Sequence, residues 1–158
     1  MLPDRHRRED RQAVIQRAAG LAAQERIYLQ ISVIVLLDTD GTDGGPVNEN
    51  HAVLLDPDGD VVWDYLKSKP TPGDGHAAGP GILPAVDTPY GRLSTVICQD
   101  DFFPALLRQA GQADVDILLV PSSDWLSVAD WHAQQAPFRA VETGASVVRP
   151  TRQGVSLA

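Results

Sequence analysis

The sequence predicts an α/β domain, and three observations predict it. Glu9 to Glu25 carries Val14, Ala18, Leu21 and Ala22 at helical spacing with charges opposite, the pattern of a helix that packs one stripe on a sheet. Ile27 to Asp38 (IYLQISVIVLLD) is dense in β-branched residues and reads as a buried strand. Further short apolar runs alternate with turn signals and a second helical segment down to the end of the chain, as expected when helices cover the faces of a sheet.

After the first strand, DTDGTDGGP is a Gly/Asp-rich turn. It lacks the glycine and terminal glutamate of a calcium loop, so it reads as a solvated connection. HAVLLD and DVVWDY flank Pro57-Asp58-Gly59, a turn between two apolar runs and hence a β-hairpin. Pro70 to Pro84 is rich in proline and glycine without periodicity, the mark of a loop, and long loops inside compact domains tend to be functional. RLSTVI reads as a strand, PALLRQAG as a helix and DILLV as another buried strand. Asp130 can cap a helix running toward Glu142 that Gly144 ends, with Pro137 expected to interrupt it unless the segment is kinked or begins later. SVVR and GVSLA read as the last strands.

With 158 residues the chain suffices for one hydrophobic core, and 43% hydrophobic with 22% charged residues is an ordinary soluble composition. A formal net charge of -8 disfavours nucleic acid and anionic membrane, which need a clustered basic face. The one basic cluster, Arg5 to Arg8, runs into Glu9 and Asp10 and reads as a solvated helix start. No apolar run is long enough to span a bilayer, and PDRHRRED is no signal-peptide core. A single cysteine excludes an internal disulfide and fits a reducing, cytoplasmic setting. His6, His51, His76 and His132 show no metal-ligand spacing, so neither metal nor cofactor is expected.

That cysteine, Cys98, stands between the RLSTVI strand and the following helix. A thiol at such a junction can face a pocket with backbone N–H groups close by to stabilise an oxyanion, as a nucleophile requires. The competing account is a small buried hydrophobe.

The segment ICQDDFFP resembles the nucleophile segment I-C-Y-[DE]-x-x-F-P of the carbon–nitrogen hydrolase (nitrilase) superfamily. DVDILLVPSSDW (Asp114 to Trp125), HAQQAPFRAVETGASVVRPTRQGVS (His132 to Ser156) and NENHAVLLDPDGDVVWDYLKSKPTPGDG (Asn48 to Gly75) resemble three more of its blocks, in the family's order. The Asp114 to Trp125 and His132 to Ser156 blocks are most similar to the apolipoprotein N-acyltransferase branch. The resemblance implies a nitrilase-type α-β-β-α sandwich over residues 1–158, forming one domain that is incomplete at both ends.

It also implies a site. Cys98 would be the nucleophile. Lys67 matches the lysine of Y-x-K, with Lys69 as the fallback, and a lysine beside a thiol favours the thiolate. Asp74 stands where the family has a second glutamate, one methylene shorter. The first glutamate, the general base of a W/F-P-E motif, has no counterpart in Met1 to Arg8, where Leu2-Pro3-Asp4 is only an echo.

Asp100, Trp125 and His132 fall at positions that would meet substrate. The alternatives are a helix cap for Asp100 and a core residue for Trp125. Arg139 and Glu142, at i and i+3, would brace the site or form a solvent-exposed pair.

The activity implied is formation of a thioacyl intermediate on Cys98 and transfer of the acyl group to an amine. The alternatives are hydrolysis of a small amide by the same intermediate, and a truncated member without turnover that serves as a binding module or is a gene fragment. Partners would be a small amide or acyl donor and a second copy in a homo-oligomer, with neither nucleic acid nor membrane for this chain. Membrane association would follow only if the chain belonged to a longer N-acyltransferase.

Overall fold

The computed structural model describes residues 4–37, 39 and 44–158, with side chains from residue 10 onward. Most of the Gly/Asp-rich turn at 38–46, the side chains of the basic cluster and that of Asp4 lie outside the described residues. Two compact units divide the chain, Met1–Gly79 and Pro80–Ala158.

In the first unit, helix α1 (Asp4–Glu25) packs on a three-stranded antiparallel sheet of order β1 (Leu29–Leu36), β2 (Asn48–Leu55), β3 (Val61–Leu66). The buried stripe of α1 is Ile15, Ala18 and Ala22, which meet Val53 and Leu55 of the central strand. Val14 and Leu21, expected in that stripe, are 46% and 47% exposed. The spacing i, i+3, i+7 of Ile15, Ala18 and Ala22 sets the face, and small residues let the helix approach closely.

Within the Ile27–Asp38 run, Leu29–Leu36 forms a strand that is half-buried on one side, with Ile34 and Leu36 exposed. It lies at the edge of its sheet, and its apolar density conceals an alternation that only the sheet order reveals. The β2–β3 hairpin forms at the expected turn. Asp56 Oδ1 accepts from the N–H groups of Asp58 (3.0 Å) and Asp60 (2.9 Å), and Gly59 takes φ +87°, a conformation that glycine adopts without steric cost.

In the second unit, the sheet has the order β4 (Ala85–Thr88), β5 (Gly91–Thr95), β6 (Ile117–Leu119), β7 (Ser146–Val148). β4 pairs antiparallel with β5, while β5, β6 and β7 run parallel. Helices α2 (Pro104–Gln112), α3 (Ala129–Ala133) and α4 (Gln135–Thr143) make the crossovers. Val96, Leu106, Leu107, Ala110, Leu118, Val120 and Val147 anchor its core, each large aliphatic side chain contributing on the order of 1.5–3 kcal/mol.

Two expectations are corrected here, and one strand is new. Strand β4, four residues in a proline-bounded stretch, carries too short a pattern to be read from sequence. The helical segment near the end breaks at Gln134 rather than at Pro137, which sits in the first turn of α4, where no intrahelical partner is lost. Gly144 ends α4 at φ 75° as expected. GVSLA is not a strand: Leu157 makes only an isolated antiparallel bridge with Arg149.

Among the described residues, no helix is long and apolar enough to cross a membrane.

Candidate active site

The second unit builds its polar centre at one rim of the parallel strands. Backbone hydrogen bonds continue past the strand ends, from Val96 N–H to Leu119 O (3.1 Å), Val120 N–H to Val148 O (2.8 Å) and Cys98 N–H to Pro121 O (3.0 Å). The three segments therefore leave the sheet side by side, and they deliver Cys98, Asp124 and Arg149.

Cys98 has φ 48°, a left-handed conformation that is unfavourable for a side chain larger than glycine. The chain turns there from β5 into a single 3-10 turn, Cys98–Phe102. Strain of this kind is held by its surroundings. Because the N–H of Cys98 is engaged by Pro121, that particular donor is already taken.

Cys98 Sγ lies 3.9 Å from Asp124 Oδ1. Arg149 Nη2 donates to both oxygens of Asp124, at 2.9 and 2.8 Å. His132 is placed between two carboxylates, with Nδ1 2.7 Å from Asp124 Oδ1 and Nε2 3.1 Å from Asp101 Oδ1. Arg149 Nε lies 3.8 Å from Asp101 Oδ2. All four of these charged or ionisable residues are buried, which is sustained only because each faces an opposite partner.

The sulfur, the Asp124 carboxylate and the His132 ring offer atoms within 4.8 Å of one another, a grouping of metal-ligand type that the sequence spacing did not disclose. Asp124 is already held by Arg149 and faces His132, so the grouping is that of a hydrogen-bonded cluster.

His132 thus turns both ring nitrogens toward carboxylates, Nε2 in a hydrogen bond with Asp101 Oδ1 and Nδ1 at ion-pair distance from Asp124 Oδ1. Asp100 is likewise fully buried, and its Oδ2 accepts from Ile97 N–H at 3.0 Å. It caps the 3-10 turn, the alternative account, although inside the protein rather than exposed. Trp125 is 61% exposed, not a core residue. Arg139 Nη1 and Glu142 Oε2 are paired at 2.8 Å, Arg139 buried and Glu142 largely exposed.

The first unit holds the other predicted residues. Lys67, just past β3, is 2% exposed. Its N–H donates to Asn50 O (2.9 Å), and its carbonyl accepts from Gly79 N–H (2.8 Å). Asp74 Oδ2 lies 3.9 Å from both Lys67 Nζ and His76 Nε2. The loop carrying Asp74 is pinned to the start of β2, by Val47 N–H to Gly75 O (2.9 Å), Ala77 N–H to Asn48 O (2.8 Å) and Asn48 Nδ2 to Asp74 O (3.2 Å). Burial, and then the Lys67 charge, hold the His76 ring below the usual histidine range, with Asp74 opposing.

Lys67 and Asp74 are therefore brought together, and Cys98 is brought to Asp124. Sequence reasoning did not single out Asp101, Asp124, Arg149 or His76. Asp124 and Arg149 lie inside the quoted SSDW and VVRPT segments, so their signal was present but carried no assigned role.

The carbon-nitrogen hydrolase family model matches residues 5–157. A formamidase of Bacillus cereus (strain B4264) is 33% identical over 103 residues, which span 64% of this chain and 30% of that protein. An amidase from Nesterenkonia sp. superposes with a TM-score of 0.74 at 25% identity, over 89% of this chain and 52% of that one. A glutamate-to-glutamine mutant of the amidase from Nesterenkonia sp. AN1 shows the result of Michael addition of acrylamide at the active site cysteine. It gives a TM-score of 0.69 at 27% identity, covering 89% of this chain and 54% of that one. The chain spans about a third of the curated relative and about half of the solved structures. These relatives are amide hydrolases by name, where the sequence pointed to the N-acyltransferase branch. With four motif blocks in order, a mixed α/β fold shared with a nitrilase-superfamily amidase and a family match over nearly its whole length, the chain belongs to the carbon-nitrogen hydrolase family.

Proposed function

We propose that Cys98 is the nucleophile of an amidase acting on a small amide. The observation that carries this reading is the strained φ of 48° at Cys98, where an internal strand passes into a helical turn. It sets the sulfur at the strand rim rather than within the apolar core.

In the reaction, the sulfur bonds to the amide carbonyl carbon as the thiol gives up its proton. The C–N bond then breaks, and the nitrogen leaves as ammonia after accepting a proton. Water attacks the thioester carbonyl, releasing the carboxylic acid and restoring the thiol. By the motif match alone, Lys67 is the counterpart of the family's lysine and Asp74 that of its second carboxylate. The amidase and formamidase names of the relatives favour water over an amine as acceptor and a small acyl group.

The test is covalent trapping. The chain is incubated with acrylamide and with short aliphatic amides and analysed by intact-mass and peptide mass spectrometry. One adduct per chain on Cys98, absent from Cys98→Ala, is expected. Failure of the folded chain to form a Cys98 adduct with the amides would refute the reading.

A further inference from the structure

His132 has a carboxylate oxygen against each ring nitrogen, Asp124 Oδ1 at 2.7 Å and Asp101 Oδ1 at 3.1 Å. Ionised carboxylates only accept hydrogen bonds, and a neutral imidazole has a single N–H. Nε2 meets Asp101 Oδ1 in a hydrogen bond and Nδ1 stands at ion-pair distance from Asp124 Oδ1, and a proton on each nitrogen satisfies both contacts. The cluster is then balanced, with two carboxylates against the imidazolium and the Arg149 guanidinium, as burial demands. Within the second unit, Asp101 from the 3-10 turn and Asp124 from the segment after β6 face His132. Arg149 from the end of β7 reaches both carboxylates, and the Phe102 ring packs against His132 at a tilt of 47°, centroids 4.5 Å apart.

We propose that Asp124 is the positioning residue of Cys98. The oxygen that His132 and Arg149 hold in place is the one that lies 3.9 Å from Cys98 Sγ. It accepts the thiol hydrogen, aims the sulfur and keeps it protonated at rest. Proton loss is thereby coupled to attack, and no standing thiolate is exposed to oxidation. His132 and Arg149 act through Asp124. The proposal rests on Cys98 being the nucleophile.

The charges give the proposal a signature. A thiolate beside Asp124 meets a like charge, which opposes its formation, while the imidazolium and guanidinium favour it. Removing the carboxylate and removing the imidazolium must therefore move thiol ionisation in opposite directions. A purely structural role would move both variants the same way, toward the profile of the unfolded chain.

The experiment follows the rate of iodoacetamide alkylation of Cys98 against pH in the intact chain, in Asp124→Asn and in His132→Gln, with the urea-unfolded chain as reference. Asp124→Asn should move the midpoint down by about one pH unit, alkylating about tenfold faster at neutral pH, and His132→Gln should move it up by a similar amount. No shift, or shifts of the same sign, would overturn the proposal. Should Asp124→Asn fail to melt cooperatively, ring-nitrogen NMR of His132 in the unsubstituted chain decides. Two protonated nitrogens are expected, and one bare nitrogen would overturn it. If Cys98 is not the nucleophile, no amide adduct forms while the opposed shifts persist; if Asp124 does not position it, adducts form without them.

Discussion

His51 and Asp64 meet diagonally across β2 and β3, with Nδ1 2.7 Å from Oδ1, while the other nitrogen of His51 lies 3.1 Å from Glu49 Oε2. Arg11 of α1 reaches the remaining oxygen of Asp64, so this cluster ties the helix to its sheet. Burial alone would lower the ionisation of His51, but the hydrogen bonds to Asp64 and Glu49 outweigh it and hold the ring above its usual range. The His51 hydrogen bond, opposed by burial and aided by Arg11, holds Asp64 below its own.

A pH dependence follows. A raised histidine stabilises the fold fully below about pH 6.5, and this contribution is lost as pH rises through its folded value. A lowered aspartate contributes above its unfolded value of about 3.8 and loses that as pH falls. His76, held low, has the opposite sign to His51, losing stability as pH falls below about 6.5. The comparison must therefore be with His51→Gln, whose melting temperature should fall less than that of the unsubstituted chain between pH 6 and 8. The partly exposed cluster limits the difference to about 1 kcal/mol or less. Identical slopes in the two proteins would show that His51 does not carry the effect.

Gly59→Ala should destabilise the first unit by about 1–3 kcal/mol. The residue has φ +87°, and an added Cβ would lie 2.9 Å from the backbone oxygen of Ala19 in α1. Both the turn and the helix contact would have to move. Denaturant unfolding followed by circular dichroism measures the loss, and Gly73→Ala, which meets nothing within 4 Å despite φ +90°, separates backbone strain from the clash.

Arg149→Met should be among the most damaging substitutions in the second unit. It removes the fully buried cation that holds Asp124 and leaves two buried carboxylates facing His132 alone. Breaking a buried pair from one side costs about 3–5 kcal/mol, readable as a fall in the urea midpoint. A midpoint within experimental error of the parent would mean that the carboxylates find other partners.

Asp74→Ala should slow adduct formation at Cys98, and Asp74→Glu should preserve or improve it, because the longer side chain restores the reach of the family's glutamate. Lys67→Ala should lose more than either. Rates unchanged by Asp74→Ala would remove that residue from the reaction.

The chain contains no Pro-Glu pair, and hence no W/F-P-E segment to supply the general base. With an activated aryl ester, the chain as given should release a burst of product and then little more, since general-base steps contribute roughly 10² to 10⁴ in rate. Sustained turnover that disappears in Cys98→Ala would identify another residue as the base.

The parts of the fold legible in the sequence were those with local punctuation. Pro57-Asp58-Gly59 marked its hairpin, and Gly144 marked the end of α4, because turn chemistry acts within a few residues. The stripe of α1 was misread at Val14 and Leu21 because hydrophobicity does not reveal which of two apolar faces meets the sheet. Cys98, Lys67 and Asp74 could be proposed from motifs. The role of Asp124 could not, since Cys98 and Arg149 lie 26 and 25 residues away along the chain and become its neighbours only through parallel strand pairing.

That pairing also sets an order of events. Cys98 leaves β5 first, Asp124 follows 26 residues later and Arg149 another 25 after that. During synthesis the sulfur is therefore unguarded until the last of the three parallel strands has docked. Iodoacetamide pulses during refolding would read completion of this sheet directly, turning the cysteine into a clock for the assembly of its own unit.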